Sequence, residues 1–277
     1  MILYKYLPLE RIDVLTNCKI RYSQPSALND PFEVQLPFDK FTNDSDAINT
    51  FEKGLPEVLK VGYQQLPKEV RKKVSFEDYL REAKKLVPNA KREFLSMLDQ
   101  AAPKVRDMLT LGFHEKIGIL SLTETPINIL MWSHYADSHK GFVIGLDTTH
   151  PYFDQRKSDS DEFHYLRKVE YRKERPTLTM VELDGTEVLL VKGSQWEHEK
   201  EWRIIKPLYE GKKKESDSDV YLFDFPSDIV REIILGCKMP GKKKDELVSL
   251  VRSRFDKVQI YEARLDVKSN SLTSSII

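Results

Sequence analysis

Cysteine is scarce in this sequence, with only Cys18 and Cys237 among 277 residues. Two cysteines are too few for a disulfide framework or a cysteine-rich zinc site. Net charge is absent as well, because 44 Lys and Arg balance 44 Asp and Glu. That balance gives no global electrostatic case for nucleic-acid binding, although a local basic patch stays open. We therefore expect buried thiols and a reducing, cytoplasmic location.

The sequence also lacks a long apolar run. No stretch approaches the roughly 20 residues that span a bilayer, so we expect no membrane partner. The first ten residues have no basic region followed by an apolar core, so we expect no secretory signal. The GxSxG elbow, the Walker-type loop and the GxGxxG loop are missing too. Their absence argues against conventional hydrolases, kinases and Rossmann-fold enzymes.

Apolar periodicity predicts strands at both ends of the chain and helices between them. ILYKY (2–6) and KIRYS (19–23) are predicted strands on either side of a short helix. Residues 40–115 are a predicted helical insert, with a cap at Asn43 or Ser45 and a break at Pro103.

Strand patterns dominate residues 116–266. TLTMVEL (177–183) and TEVLLV (186–191) are two of these predicted strands. KDELVSLVRSRF (244–255) is a predicted amphipathic helix with Leu247, Leu250 and Val251 on one face. Few crossover helices separate the strands, so the predicted class is α+β with mixed, mostly antiparallel sheets. We expect one domain over residues 1–277.

Residues 192–206 hold the densest group of reactive side chains. They include three carboxylates, two tryptophans, a histidine and an arginine. As a continuous strand they would collect like charges on one face, which repel. The alternative is a helical start at 194–200 that leads into a strand from Glu201. Either arrangement puts Glu201 at the mouth of a packed strand with Trp202 in the core, and a solvated charged segment stays open as the simpler interpretation.

Two further segments are candidates for the walls of a pocket. In the turn-rich loop NDPFE, Asn29 and Asp30 either shape a cleft floor or make ordinary turns. In MWSHYADSHKG, a short helix capped by Asn128 carries a cluster of rings. Its His134 and His139 lie about 140° apart on a helix, so this spacing predicts no metal site.

Several stretches together resemble one family. LYKY, RYSQPSALNDPFE, ILSLTETPINILMWSHYADSHKGFVIGLD, VEYR and QWEHEKEWRII occur in that order from residue 3 to about 236. This combination resembles the bacterial domain-of-unknown-function 2971 (DUF2971) family. The family carries no established activity, so the resemblance implies one DUF2971-type domain and no function.

A second, looser resemblance is to the ADP-ribosyltransferase fold. That fold binds NAD in a cleft between two small sheets and carries a catalytic Glu at the start of a late strand, often with another Glu two residues earlier. Glu199-Lys200-Glu201 matches this pattern. The resemblance implies a split sheet, Glu201 as the catalytic Glu and Glu199 on the acceptor side, because a fixed carboxylate stabilises positive charge that develops on ribose.

The same resemblance, together with the ring cluster, assigns a set of residues to NAD binding. They are Tyr4, Lys5, Arg21, Ser23, His134 and Tyr135. The sequence departs from the family pattern in having Lys5 where many such enzymes have His or Arg, and in having no STS-type motif.

The leading hypothesis is an enzyme that transfers ADP-ribose from NAD or hydrolyses NAD, in a toxin or phage-defence setting, without a metal. Its acceptor would be a protein or a nucleic acid. Two alternatives stay open: a non-enzymatic module that binds a ligand or a protein, and a hydrolase or nuclease that uses His134, His139 and the Glu cluster.

Overall fold

A computed structural model describes residues 1–175, 178–183, 185–214 and 217–277. The chain forms two compact units. The first comprises Met1–Val34, Gly112–Glu174 and Thr186–Ile277, and the second comprises Gln35–Leu111 and Arg175–Gly185. The second unit overlaps the predicted helical insert.

Helices and strands both contribute substantially to the chain. The α-helices are α1 (Asp13–Asn17), α2 (Asp44–Gln65), α3 (Lys68–Arg71), α4 (Phe76–Lys116), α5 (Ile129–Tyr135), α6 (Gly185–Leu190) and α7 (Gly241–Arg254). The strands are β1 (Ile2–Leu7), β2 (Lys19–Tyr22), β3 (Ile117–Thr123), β4 (Phe142–Asp147), β5 (Leu166–Lys168), β6 (Glu170–Arg172), β7 (Val191–Gly193), β8 (Glu201–Pro207), β9 (Lys212–Lys214), β10 (Asp217–Asp224), β11 (Val230–Leu235), β12 (Gln259–Leu265) and β13 (Leu272–Ile276).

An eight-stranded sheet forms the centre of the first unit, in the order β13-β12-β11-β4-β1-β3-β8-β5. Its neighbours pair antiparallel except β11 and β12, which are parallel and are joined through α7. The apolar strands β3 and β4 are almost wholly buried, as expected for strands covered on both faces. This confirms the predicted α+β class with mostly antiparallel pairing.

Two small sheets accompany the large one: β2-β10-β9, and the parallel pair β6-β7. The main core includes side chains from β1, β3, β4, β8 and β11 together with α7. In α7 Leu247 and Val251 are buried, as the periodicity predicted, while Leu250 is only partly buried.

The second unit contains the antiparallel pairing of α2 with α4. Phe51 of α2 lies 5.4 Å from Phe94 of α4, and Tyr63 lies 5.2 Å from Phe76, measured between ring centroids. The predicted cap is confirmed, since the Asn43 side chain accepts a hydrogen bond from the backbone N–H of Asp46.

Three predictions of local structure were wrong. Pro103 does not end a helix, because α4 continues through both Pro88 and Pro103. A proline removes one backbone N–H but its fixed φ suits a helix, and packing on both sides can carry the helix past it. The second wrong prediction is the strand at 177–183. Residues 178–183 form an isolated bridge at Leu178 followed by turns, and Thr177 lies outside the described residues.

The third wrong prediction is the strand at 186–191. Most of that apolar run is helix α6, and strand structure begins only at Val191. A short apolar run does not by itself distinguish a strand from a buried helical turn. Among the described residues, none of the helices combines the length and apolarity that crossing a membrane requires.

Candidate functional site

A pocket of about 210 Å³ opens at the end of three neighbouring strands of the large sheet, β1, β3 and β8. Strand register brings Tyr4 opposite Thr123, and Thr123 opposite Glu201. The pocket is lined by Tyr4, Lys5, Tyr6, Ser23, Ala27, Leu28, Asn29, Glu33, Ser121, Leu122, Thr123, Met131, Tyr135, Lys192, Glu199 and Glu201. Residues far apart in sequence therefore share one cavity because the sheet places their strands side by side.

The segment that carries the two acidic residues turns sharply between them. Ser194–Glu199 is a 3-10 helix and β8 begins at Glu201, which is the second of the two predicted arrangements. Lys200 between them is left-handed, with φ 44° and ψ 54°. Such a conformation is uncommon for a residue with a side chain. It lets Glu199 and Glu201, although two residues apart across a turn, both line the pocket.

Five buried charged side chains form one network in the pocket wall: Glu33, Lys192, Glu199, Glu201 and Arg203. The Lys192 ammonium lies 2.6 Å from Glu199, 3.0 Å from Glu33 and 3.2 Å from Glu201.

Arg203 completes the network from the same strand as Glu201. Its Nε and Nη2 donate to the two oxygens of Glu201 at 2.8 and 2.9 Å, and Nη2 also pairs with Glu33. Its Nη1 donates to the backbone carbonyl of Leu189 at 2.8 Å. Three carboxylates thus face two cations, which leaves one net negative charge in the buried wall.

The two cations keep Glu201 ionised. Burial alone raises the pKa of a carboxyl group, but the charges of Arg203 and Lys192, together with hydrogen bonds from Arg203 and Ser121, lower the pKa of Glu201 to about 2. Burial by itself lowers the pKa of Lys192, yet Glu201, Glu33 and Glu199 together raise it above its ordinary value. Glu201 is therefore a carboxylate at any physiological pH, held rigidly at the pocket wall.

Glu199 has a different set of partners. The Tyr135 hydroxyl donates to its Oε1 at 2.6 Å, and Lys192 pairs with its other oxygen. Desolvation and the neighbouring Glu199 raise the pKa of Tyr135, so the hydroxyl stays protonated and can keep donating. The Asn29 side chain also hydrogen-bonds Tyr135. Glu199 is thereby oriented from α5 as well as from its own segment.

Lys5 approaches the acidic wall from β1. Its ammonium donates to the backbone carbonyl of Ser121 at 2.9 Å. Burial lowers the pKa of Lys5 to about 8, although Glu201 and Glu199 act in the opposite direction. A lysine with this pKa is still mostly charged at neutral pH, so it balances the negative charge that remains in the network.

Most of the residues selected from the sequence meet in this pocket. Tyr4, Lys5, Ser23, Tyr135, Glu199 and Glu201 line it. Two do not. Arg21 lies on β2 outside the lining, and its buried Nε has no hydrogen-bond partner within the described chain. His134 is exposed on α5, with its ring against Tyr135 rather than in the pocket.

Trp202 packs against the main core, as expected, but it does not lie inside it. Arg203 is fully buried, whereas Trp202 is only partly buried and donates its ring N–H to Glu124 at 2.9 Å. Alternation along β8 puts the two side chains on opposite faces. Both faces of β8 are covered, since Ile204 on the face of Trp202 is also fully buried, and on the other face the ion network compensates the charges of Glu201 and Arg203.

Sequence reasoning considered Lys192 and Arg203 only as structural ion-pair partners of Glu201, and it missed Glu33. Lys192 and Arg203 stand within the acidic segment, so alternating charge was a signal that they pair with it. Glu33 had no such signal. It ends a turn in which Asp30 accepts hydrogen bonds from the backbone N–H groups of Phe32 and Glu33, and this turn brings Glu33 to Lys192.

No group of three or more His, Cys, Asp or Glu side chains is arranged to hold a metal ion in the described part of the chain. The acidic side chains of the pocket are instead paired with Lys192 and Arg203. The site supplies a fixed carboxylate, a second oriented acid and a lysine, around a cavity that also has aromatic walls at Tyr4 and Tyr135.

Fold and site together define an α+β protein with a buried ion network at the end of its central sheet. Residues 131–204 match the family model described as Protein of unknown function (DUF2971). The resemblance to DUF2971 that the motifs predicted is confirmed over this segment, which contains Tyr135, Lys192, Glu199, Glu201 and Arg203. No curated protein and no solved structure shows significant similarity to the chain.

Proposed function

We propose that the pocket binds the nicotinamide–ribose half of NAD and that the protein breaks the bond between nicotinamide and ribose. The ADP-ribose is then transferred to an acceptor, or it is released by hydrolysis. The observation that carries the proposal is the permanently charged Glu201, held in the wall of the same cavity as Tyr4, Lys5 and Tyr135. A cytoplasmic location and a role in toxin action or phage defence belong to the same proposal. The location rests on the scarcity of cysteine, and the role rests on the sequence resemblance alone.

The size of the pocket limits what it can hold. A cavity of about 210 Å³ is smaller than the roughly 300–1,000 Å³ typical of sites for drug-sized ligands. It would therefore take the reacting half of the dinucleotide and leave the adenosine outside. The rings of Tyr4 and Tyr135 offer surfaces for stacking, and the Lys5 ammonium offers a contact for the phosphates.

Each acid has a distinct part in this chemistry. When the bond between nicotinamide nitrogen and ribose carbon breaks, the electron pair leaves with nicotinamide and positive charge develops on the ribose. Glu201 would stabilise that charge, because its own charge is already present and oriented. Glu199 would accept the proton that water or the acceptor hydroxyl releases as its oxygen bonds to the ribose carbon.

Hydrogen bonding in the network favours a second candidate, a non-enzymatic binding module. Both oxygens of Glu201 already accept from Arg203, and one also contacts Lys192. A carboxylate satisfied in this way is able to shape a binding pocket without taking part in a reaction. The two candidates differ in one observable: the module binds its ligand and releases no product.

The test combines titration calorimetry of NAD with measurement of nicotinamide release. We expect the wild type to bind NAD and to release nicotinamide, and Glu201→Gln to lower the rate about a hundred- to thousand-fold while binding is largely kept. Leu247→Ala is the matched control, because Leu247 is fully buried in α7 outside the pocket lining and its loss destabilises the fold without touching the carboxylate.

The outcomes separate the candidates. Equal loss of turnover in Glu201→Gln and Leu247→Ala would assign the effect to stability rather than chemistry. NAD binding without release, in the presence of water and candidate acceptors, would favour the binding module. No NAD binding at millimolar concentration would overturn the proposal.

A further inference from the structure

Helix α4 exposes a line of large apolar side chains. Leu86, Met97 and Met108 recur every eleven residues, which is three helical turns, and they are 65%, 56% and 64% exposed. Leu111, 57% exposed, continues the same line. The stretch from Leu86 to Leu111 is about 38 Å long at 1.5 Å per residue. Single exposed apolar residues are ordinary, but four on one line of one helix indicate an interaction surface.

The middle of this line is concave. A groove of about 370 Å³ is lined by Glu93, Ser96, Met97, Gln100, Ala101 and Lys104. These positions follow one another at the i, i+3, i+4 and i+7 spacing that forms the hole for a side chain of a facing helix. The small residues Ser96 and Ala101 let another backbone come close.

We propose that α4 is the interface of an antiparallel homodimer, in which each residue i lies opposite residue 197−i of the second copy. The six groove residues map onto themselves under this two-fold operation. Glu93 faces Lys104, Ser96 faces Ala101 and Met97 faces Gln100. The same operation pairs Leu86 with Leu111 at the ends of the line. An isologous contact of this kind closes on itself and gives a dimer.

Charge complementarity selects the second copy as the occupant and fixes its direction. Glu93 and Lys104 take part in no ion pair within the residues that the structure describes, and both border the groove. In the antiparallel dimer each Glu93 meets the Lys104 of the other copy, so two attractive pairs form. A parallel pairing in register would put Glu93 against Glu93 and Lys104 against Lys104, which is repulsive.

One helix pair makes a small interface, so the dimer should be weak and concentration-dependent. Sedimentation velocity of the full chain under reducing conditions should therefore show a monomer of 32.4 kDa shifting to twice that mass as concentration rises. Glu93→Lys and Lys104→Glu should each raise the dissociation constant about tenfold, because two attractive pairs become repulsive. The double variant Glu93→Lys/Lys104→Glu should restore wild-type association, since the charges are only exchanged.

Lys84→Glu is the matched control. Lys84 is exposed on α4, makes no ion pair in the described residues and points away from the line of Met97, so its reversal should leave association unchanged. The proposal would be overturned by a wild type that stays monomeric up to about 500 μM, because its dissociation constant would then be too high for specific association. It would also be overturned by a dimer that ignores both single reversals, or by a double variant that is no better than either one.

Discussion

Replacing Glu201 by Gln keeps the size of the side chain and removes one charge from the buried network. Arg203 and Lys192 then lose a carboxylate that each contacts within 3.2 Å. Removal of one partner from a buried ion pair costs about 3–5 kcal/mol, because the other charge stays buried and uncompensated. We therefore expect Glu201→Gln to lower the free energy of unfolding at pH 7 by about 3 kcal/mol.

The pKa of Glu201 gives a second, consistent estimate. It falls from 4.5 to about 2 in the folded protein, which corresponds to about 3 kcal/mol at neutral pH. Because the folded pKa is the lower one, this stability is complete above the unfolded pKa and is lost as pH falls towards 2. The deficit of Glu201→Gln should therefore shrink on acidification, to about half its value at pH 3.

Urea denaturation of the wild type and the variant from pH 7 to pH 3 measures both effects. Glu197→Gln is the matched control, because Glu197 belongs to the same segment but is exposed, and its change should stay within about 0.5 kcal/mol at every pH. A deficit for Glu201→Gln below about 1 kcal/mol at pH 7, or one that does not change with pH, would refute the account of a charge held by two cations.

Two further predictions concern the backbone, and denaturant unfolding checks both. The backbone of Lys200 is left-handed, so Lys200→Gly should leave the protein as stable or up to about 1 kcal/mol more stable. Lys200→Val should instead lower the free energy of unfolding by at least about 1–2 kcal/mol. Equal stability of the two variants would contradict a left-handed residue at this position. Gly141→Ala should lower the free energy of unfolding by about 2 kcal/mol or more, because the new methyl group would lie 2.2 Å from the Leu7 carbonyl oxygen. In contrast, the new methyl group of Gly54→Ala in α2 meets nothing within 4 Å, so this variant should be more stable by about 0.5–1 kcal/mol.

Local signals in the sequence predicted several elements correctly because the causes are themselves local. Asn43 and Asn128 cap α2 and α5, as their positions before helical patterns indicated. The amphipathic spacing of α7 likewise predicted the buried face of Leu247 and Val251, although Leu250 on that face is only partly buried. Short apolar runs were less informative: residues 186–191 form mostly helix, because their partners rather than their own pattern decide their structure.

The candidate site was predictable in part for the same reason. The acidic segment was conspicuous, and Glu199 and Glu201 do line a pocket with Tyr4, Lys5 and Tyr135. Their roles in chemistry remain predictions. Arg21 and His134 had equally suggestive neighbours in sequence and lie outside the pocket lining. The positive charge of Arg21 nevertheless acts on Lys5, whereas the His134 side chain is exposed on α5.

The sequence by itself determined the α+β class, the DUF2971 motifs and the presence of a dense acidic segment, since composition, periodicity and spacing are properties of the chain. Only the tertiary structure decided that Glu199, Glu201 and Arg203 of this segment are buried while Glu197 is solvated. Burial requires Lys192 and Arg203 to be shared among three carboxylates, one of which, Glu33, arrives from a loop more than 150 residues away in the sequence. This compensation of buried charge depends on side chains that lie about 3 Å apart in the fold but far apart in the sequence, so no local sequence pattern predicts it.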